Sequence, residues 1–448
     1  MLFPNNGAPV MRAAGAAAGR LLARLLAPLL APLPHRPGGR PGMAGAACFC
    51  AAAAVLAGCY GGPAGPQPGA ASRTSVTGPS RAGPGTWQTE NSGTRQRLYD
   101  VACLSALRCV AVGAAGTIVA TANGGRTWRA QANPLRGSAQ PLYQITCVAP
   151  SSCYVIARPD TIVVTHNGGA TWSRHVLPVG VSGTSLTDQA CLGAYTPGLT
   201  GRYALCRLGL LDIACVSARV CYAVSTAPQA YSASPVPRTP HAPPSSIWLT
   251  RDGGASWTRP SVPPGVACDG DCAPALLYPY PLEWVTCLSS GLCRAGGGQF
   301  LGCGHCGFAQ AVLVTHGPGR PWACVTSAAT CAAAPDVADC PATTRCYGID
   351  STNPFSEPDI FVLRSADGGA GWQQVGPNWS ASVLNDIACP AALTCYLAGT
   401  HGTVARITNG TTLAAQRTPT ARDLYGIACD GPATCYAAGD KGTILALR

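Results

Sequence analysis

Leu98 to Trp128 reads LYDVACLSALRCVAVGAAGTIVATANGGRTW, and the chain returns to that order of residues along most of its length. Cys103 and Cys109 stand with five residues between them, and the same spacing recurs at Cys147/Cys153, Cys215/Cys221, Cys287/Cys293, Cys340/Cys346, Cys389/Cys395 and Cys429/Cys435. Each copy keeps a hydrophobic residue, the first Cys, the second Cys (followed by Tyr in most) and a short apolar run, and the fuller copies continue to Gly-Gly and Trp. Short apolar runs bounded by glycine and turn residues are the mark of strands. In the first copy they predict strands over Leu98–Cys103, Cys109–Gly113 and Thr117–Thr121, a turn over Leu104–Arg108, and a fourth strand opening at Trp128. The unit is thus expected to be a four-stranded antiparallel meander. Cysteines flanking its tight first turn fall on adjacent strands, within the separation a disulfide needs. Every pair is therefore expected to be bridged within its own copy. A bridge closing so short a loop adds stability near the low end of the usual ~2–4 kcal/mol.

The third turn carries a signature of its own. Thr121-Ala-Asn123-Gly-Gly-Arg-Thr127-Trp128 returns as Thr165-His-Asn167-Gly-Gly-Ala-Thr171-Trp172, Thr250-Arg-Asp252-Gly-Gly-Ala-Ser256-Trp257 and Ser365-Ala-Asp367-Gly-Gly-Ala-Gly371-Trp372. Asn or Asp at that place bonds the turn backbone, glycine permits positive φ, and Trp packs between sheets. Copy four is degenerate (Thr315-His-Gly317-Pro-Gly-Arg-Pro321-Trp322), and copy six keeps only Asn409-Gly410. These segments resemble the Asp-box, or BNR, repeat of sialidases and of the photosystem II stability/assembly-factor-like propellers, a resemblance that covers residues 83–448. It implies a structural role for Asn123, Trp128, Asn167, Trp172, Asp252, Trp257, Asp367 and Trp372, and neither catalysis nor calcium binding.

Seven such units imply an all-β, seven-bladed propeller, because a blade cannot bury both faces alone and radial stacking closes the ring. The ends of the chain fit closure. Copy seven stops at Gly442-Thr-Ile-Leu-Ala-Leu-Arg448, where its box and fourth strand are due, and Gly83-Pro-Gly-Thr86-Trp87 supplies the tail of a box before the first full repeat. An N-terminal strand is thus expected to complete the last blade. An open solenoid would instead need capping repeats.

Composition agrees with many short strands: 54 Gly, 40 Pro and 11% charged residues in 448. Basic residues outnumber acidic ones 30 to 19, yet five of the arginines (Arg12, Arg20, Arg24, Arg36 and Arg40) lie in an acid-free N-terminal stretch. No run of like charge remains in the repeats, so nucleic-acid binding is not expected. Met43 to Gly58 is an apolar run of signal-peptide length behind Arg36 and Arg40. It ends in Leu56-Ala57-Gly58-Cys59, which resembles the bacterial lipoprotein lipobox and implies lipidation of Cys59. With Cys48, Cys50 and Cys59 set aside, 22 of the 25 cysteines remain, an even number as closed bridges require and an oxidation liability in a cytosol. The expected organisation is an export segment over 1–58, a Gly/Pro/Ser tether over 59–82 and the propeller over 83–448. The expected location is extracytoplasmic, lipid-anchored to the cell membrane or secreted.

In a four-stranded blade the first and third turns lie on one face of the disc, and the second turn and the connection to the next blade lie on the other. All large length variation falls on that second face, as insertions over Ser173–Leu210, Thr226–Ser246, Thr258–Pro281, Gly298–Ala309, Ala323–Val337 and Ser351–Asp359 in copies two to five. Cys191, Cys206, Cys268, Cys272, Cys303, Cys306, Cys324 and Cys331 fall there too. Long loops on a rigid scaffold are where binding surfaces are built. The expected partner is therefore a protein or glycan on the long-loop face of blades two to five, bound by a monomer with no cofactor or metal. Cys303-Gly-His-Cys306 resembles the disulfide-isomerase tetrapeptide but lacks its Trp and its helix. Zinc ligation by Cys268, Cys272, Cys303, His305 and Cys306 competes with loop disulfides. The alternative to a non-enzymatic scaffold is a sialidase-like glycoside hydrolase, which needs an activated Tyr, an acid/base Asp and an arginine trio. Glu283 with Tyr278 or Tyr280 is its one tempting cluster, and the chain has just three glutamates, Glu90, Glu283 and Glu357.

Overall fold

Each blade's inner strand leads up to the first Cys of its copy, and the seven inner strands pack one against the next until the last meets the first. A computed structural model describes residues 85–148, 151–179, 209–226, 246–262, 266–267, 277–278, 282–300, 308–325, 335–350, 360–379 and 382–448. These form seven antiparallel blades in a ring, with no α-helix among the described residues. Blade one runs from the channel outward as Leu98–Ser105, Arg108–Gly113, Thr117–Thr121 and Arg129–Ala130, and the later blades repeat that order. The first hairpin is tighter than the sequence implies, since its strands continue past the cysteines to Ser105 and Arg108. Blade three also departs from the expected pattern: its fourth strand shrinks to a single bridge between Leu249 and Thr258. Pro260 follows directly and has no N–H to continue the ladder.

The last blade joins both ends of the ring. Its sheet order places Trp87–Asn91 outside Thr443–Leu447, Cys435–Gly439 and Leu424–Cys429. Register runs from Trp87 opposite Leu447 to Asn91 opposite Thr443, and Thr86 N–H donates to the Arg448 carbonyl at 2.7 Å. Arg448 also pairs with Glu90 at 2.7 Å and donates to the Gly124 carbonyl of blade one at 2.6 Å. The N-terminal strand thus completes blade seven.

Each five-residue pair is bonded within its own blade: Cys103 to Cys109, Cys147 to Cys153, Cys215 to Cys221, Cys287 to Cys293, Cys340 to Cys346, Cys389 to Cys395 and Cys429 to Cys435, with Cα atoms 3.9–4.1 Å apart. Five of the pairs lie directly opposite in the ladder, for example Cys103 against Cys109. The bridges are those the spacing implies, and they also reach into the core. The second member of each pair (Cys109, Cys153, Cys221, Cys293, Cys346, Cys395 and Cys435) is 0% exposed, so it is a core residue and not an accessible site. The physical reason is its place in the second strand, which has a neighbouring blade against each face. Cys153 accordingly packs among residues of blades one and two, Cys221 of blades two and three, Cys293 of blades three and four, and Cys395 of blades five and six. The other apolar residues straddle neighbouring sheets in the same way: Val110, Val112 and Ile118 of blade one meet Ile145, Val155 and Val163 of blade two. Burial between blades drives closure, because no single sheet has a second sheet of its own to pack on.

In four blades the tyrosine that follows the second Cys supplies a further tie to the next. Tyr154 donates to the Ala218 carbonyl at 2.6 Å, Tyr347 to Ala392 at 2.9 Å, Tyr396 to Pro432 at 2.6 Å and Tyr436 to Ala106 at 3.5 Å. Every acceptor sits in the first turn of the following blade. The rings meet that blade's box Trp edge-on, at 6.0 Å for Tyr436 with Trp128 and 5.4 Å for Tyr222 with Trp322. Trp87 plays the same part for blade seven, 6.2 Å from Tyr396.

The third turns are locked locally. In blade one, Thr121 Oγ1 donates to Asn123 Oδ1 (3.0 Å) and accepts from Gly125 N–H (2.9 Å), while Thr127 N–H donates to Asn123 Oδ1 (3.0 Å). Gly124 N–H then reaches the Leu107 carbonyl of the first turn at 3.0 Å, so these two turns share one face of the disc. Gly125 has φ +82°, and a Cβ there would stand 3.0 Å from the Tyr436 ring. Glycine is required on both counts.

Candidate functional site: the channel mouth on the long-loop face

Four residues before the first Cys, the seven inner strands carry Tyr99, Tyr143, Leu211, Glu283, Asp336, Asn385 and Tyr425. In blade one this position is flanked by Leu98 and Asp100, both buried, whereas Tyr99 is half-buried. Its ring lies 5.0 Å from that of Tyr143 in blade two and 5.9 Å from that of Tyr425 in blade seven. Such contacts between three successive blades place the cluster at the axial channel. The three tyrosines come from copies that share Leu-Tyr-X-(Val/Ile)-(Ala/Thr)-Cys or its Leu-Tyr-Gly-Ile-Ala-Cys form. That shared dipeptide was the available signal, hidden because Tyr also satisfies the hydrophobic slot of the repeat.

Two arginines flank the rings. Arg97 Cζ lies 5.3 Å from the Tyr425 centroid and Arg158 Cζ 4.7 Å from that of Tyr143, both within cation–π range. Arg97 Nε donates to Asp440 Oδ1 at 2.6 Å, and Tyr425 Oη donates to the same oxygen at 3.2 Å. Arg158 Nε donates to the Leu210 carbonyl at 3.1 Å. Burial pulls the Arg97 pKa down, but its bond to Asp440 and the neighbouring tyrosines hold it above the ordinary value. Burial pushes Tyr143 and Tyr425 up, against the pull of Arg158 and Arg97. At neutral pH Tyr143 and Tyr425 are therefore protonated phenols and Arg97 is a charged guanidinium.

Arg158 and Asp440 belong to second turns, so the cluster opens on the face from which the long insertions leave. Its described chemistry lies on blades seven, one and two. The segments at 180–208, 227–245, 268–276, 301–307, 326–334 and 351–359, where the sequence places the working surface, lie outside the described residues. So do Cys59, Cys191, Cys206, Cys268, Cys272, Cys303, His305, Cys306, Cys331, Glu357 and Tyr280. Cys324 is disulfide-bonded, and because the other described cysteines pair among themselves its partner also lies outside. Glu283 immediately precedes its inner strand, with its amide donating to the Gly296 carbonyl at 2.7 Å, and it is engaged by other protein groups. Among the described residues, no group of three His, Cys, Asp or Glu side chains is placed to hold a metal. No helix among them is long and apolar enough to cross a membrane.

One position further along, buried carboxylates tie the channel wall together. Asp100 accepts from its neighbour Val101 N–H and from Ile145 N–H of blade two, both at 2.8 Å. Asp212 does the same for Val285 of blade four and Asp386 for Ile427 of blade seven, both at 2.9 Å. Trp284 takes this place in blade four and donates to the Pro335 carbonyl of blade five at 2.8 Å. In blade five the task moves to Asp339, which accepts from Cys389 N–H of blade six at 2.7 Å. Burial raises Asp339 to about 6, against the donors that would lower it. The tyrosines are held on a wall braced from blade to blade, and a rigid aromatic–arginine surface is the composition of protein-binding hot spots.

Fold and site together define an Asp-box-type β-propeller with an aromatic channel mouth. Residues 80–194, about a quarter of the chain, match the family model described as "Photosynthesis system II assembly factor YCF48". No curated protein matches the sequence significantly. Among solved structures, YCF48 from Cyanidioschyzon merolae is 14% identical with a TM-score of 0.52, over 81% of this chain and 98% of that one. A streptogramin B lyase is 11% identical with a TM-score of 0.52, over 81% and 97%. The GH74 xyloglucanase from Xanthomonas campestris is 13% identical with a TM-score of 0.50, over 80% of this chain and 53% of that one. These likenesses establish the fold, which carries unrelated activities.

Proposed function

We propose that this chain is an exported, lipid-anchored, non-enzymatic propeller that holds a protein partner against the long-loop face, with the channel mouth as the anchoring patch. The Tyr99–Tyr143–Tyr425 cluster between Arg97 and Arg158 is the observation that carries this reading. Amphipathic tyrosines lose little side-chain freedom on binding, and arginine beside them adds directional donors. The match to an assembly-factor family model over 80–194 supports it, since that span contains Arg97, Tyr99, Tyr143 and Arg158. Export rests on the apolar run before Cys59 and on the stapled blades, and the anchor on Leu56-Ala57-Gly58-Cys59.

The test is photo-crosslinking in intact cells with a reactive residue at position 99, followed by affinity measurement on the captured partner. Tyr99→Ser/Tyr143→Ser/Arg158→Ala should weaken binding about tenfold or more, as expected for hot-spot residues, with an unchanged melting temperature. Full capture by this variant would sink the proposal, as would turnover of a glycoside reporter abolished by Glu283→Gln. A lipid mass increment missing from Cys59 would remove the anchor alone.

A further inference from the structure

Blade four replaces the tie that tyrosines make from blades two, five, six and seven, whereas blade one simply has Val110 at this position. Where blades two, three, five, six and seven have Tyr154, Tyr222, Tyr347, Tyr396 and Tyr436, blade four has Arg294. Arg294 is 3% exposed, and its Nε donates to the Gly368 carbonyl at 2.8 Å while Nη2 donates to the Thr343 carbonyl, both in blade five. Gly368 admits it, because a Cβ there would stand 2.8 Å from Nη2. Neither acceptor carries a charge, and burial pulls the guanidinium pKa below its ordinary value. A buried cation with only neutral acceptors is electrostatically incomplete.

Arg294 also lines an open space. A cavity of about 460 Å³ opens between blades four and five on the face of the first and third turns, a size suited to a small molecule. Leu292, Val314 and Val325 give it an apolar lining, and Arg294, His316 and Asp367 line it as well. Asp367 is the box residue of blade five, and it too departs from its counterparts. In blade three, Asp252 Oδ2 is occupied by the Ser256 hydroxyl at 2.5 Å, and in blades one and two the equivalent Asn amide meets Thr127 or Thr171. Blade five has Gly371 at that place. Asp367 Oδ1 accepts from Ser365 Oγ (2.7 Å) and Gly371 N–H (2.9 Å), while Oδ2 has no box hydroxyl to take it. Although burial pushes its carboxyl up, those donors hold the pKa below the ordinary value, so the group is anionic at neutral pH.

Cation, anion and apolar wall therefore converge on one small cavity. We propose that it binds a free α-amino acid with an apolar side chain: carboxylate to Arg294, ammonium to Asp367, side chain over Leu292, Val314 and Val325. A plain carboxylate would meet only Arg294, and a plain amine only Asp367. The zwitterion answers both. The site lies on the opposite face from the channel mouth and stands independently of the partner proposed there.

Titration calorimetry of the disulfide-bonded protein with L-leucine tests the proposal, with N-acetyl-L-leucine and L-leucinamide as probes lacking the ammonium and the carboxylate. L-leucine should bind, and each blocked analogue should bind about tenfold or more weakly, the loss of one charge-assisted contact. Asp367→Asn should give a similar loss while keeping the fold, because Asn123 and Asn167 hold the same turn in blades one and two. Gly371→Ser should also weaken binding, by restoring to Oδ2 the hydroxyl that Ser256 gives Asp252, with no drop in melting temperature. Absence of L-leucine binding up to about 10 mM, well into the weak range of small-ligand affinity, overturns the site. Equal binding of N-acetyl-L-leucine, or full binding by Asp367→Asn, overturns the zwitterion assignment.

Discussion

Replacing Asp100 by Ala removes a carboxylate that is 4% exposed and that joins blade one to blade two at the channel wall. Two amides lose their acceptor, Val101 N–H and Ile145 N–H, each at 2.8 Å. A hydrogen bond to a charged group contributes about 1.5–3 kcal/mol, and a buried donor left unmatched costs about 1–3 kcal/mol. These are two descriptions of the same loss and are not summed. Removing the carboxylate also relieves its own desolvation, which offsets part of the penalty. A net loss of about 3–4 kcal/mol is expected, within the range for breaking a buried charged network. Asp100→Asn keeps one acceptor but turns an amide donor toward the other N–H, so a loss of about 2 kcal/mol is expected. Equilibrium unfolding in guanidinium chloride with the disulfides intact measures both, and amide hydrogen exchange locates them. Ile145 should exchange faster in both variants, while Val285, which depends on Asp212, should not change. A cost below about 1 kcal/mol for Ala, the size of one ordinary hydrogen bond, or an Ile145 amide as protected as before, would refute the inter-blade role.

Other outcomes follow from the same geometry. Trp87→Ala should cost about 3–5 kcal/mol in unfolding experiments, the usual loss for a buried aromatic, because Trp87 is 5% exposed and packs on Tyr396 across the last interface. A loss below about 1 kcal/mol would show that the N-terminal strand is not what closes the ring. Tyr396→Phe should lose about 1 kcal/mol with its 2.6 Å bond to Pro432, whereas Tyr222→Phe should be neutral or stabilising, since the Tyr222 hydroxyl is buried without a partner. Equal destabilisation of the two by thermal melting would contradict the tie. The Ser256 hydroxyl, then its amide and the Thr250 hydroxyl, hold Asp252 down to about 2 from 3.8. A depressed folded pKa stabilises the ionised state, so this contribution is present above pH 3.8 and lost as pH falls toward 2. Carbon-13 titration of Asp252 and exchange of the Ser256 amide should both report the loss, with the Asn-based turn at Thr127 unmoved; titration of Asp252 near 4 would contradict it.

Most of the architecture was legible because a blade is a local object. Cys103 and Cys109, the Asn123 turn and Trp128 lie within one short stretch, and the hydrogen bonds that define the box run between residues two or four apart. Closure was legible for a related reason: Trp87 arrives as an isolated box tail, and a tail without its strand implies a strand elsewhere. Blade three's short outer strand was legible only in retrospect, from Pro260. Spacing likewise pairs Cys147 with Cys153 but is silent on the second sulfur's burial, which depends on the blade packed against it. The channel mouth was not legible, because Tyr99 and Tyr425 meet only after the whole ring has closed. Asp100, Asp212 and Asp386 share a position in their copies, yet a periodic Asp in an inner strand reads equally as a solvent-facing residue until its acceptor role toward the next blade is seen.

Departures from the repeat carry more functional information than the repeat does. Where a position is filled the same way in blade after blade, as with Tyr154, Tyr347, Tyr396 and Tyr436, the geometry shows one structural task performed each time. A substitution at such a position either transfers that task or abandons it. Arg294 transfers it, since its bonds to Gly368 and Thr343 still join blade four to blade five, but at the expense of a buried charge. Gly371 abandons it, leaving Asp367 without the hydroxyl that Ser256 gives Asp252. Either change alone is tolerable drift. Arg294 and Asp367 line the same cavity from adjacent blades and bring charges of opposite sign there, a coincidence that stability does not require and that the proposed zwitterionic ligand would explain. The same reasoning ranks the channel mouth: three tyrosines at one repeat position in adjacent blades, replaced by Leu211, Glu283, Asp336 and Asn385 in the others, mark a position that is asymmetric by composition on a scaffold that is symmetric by construction.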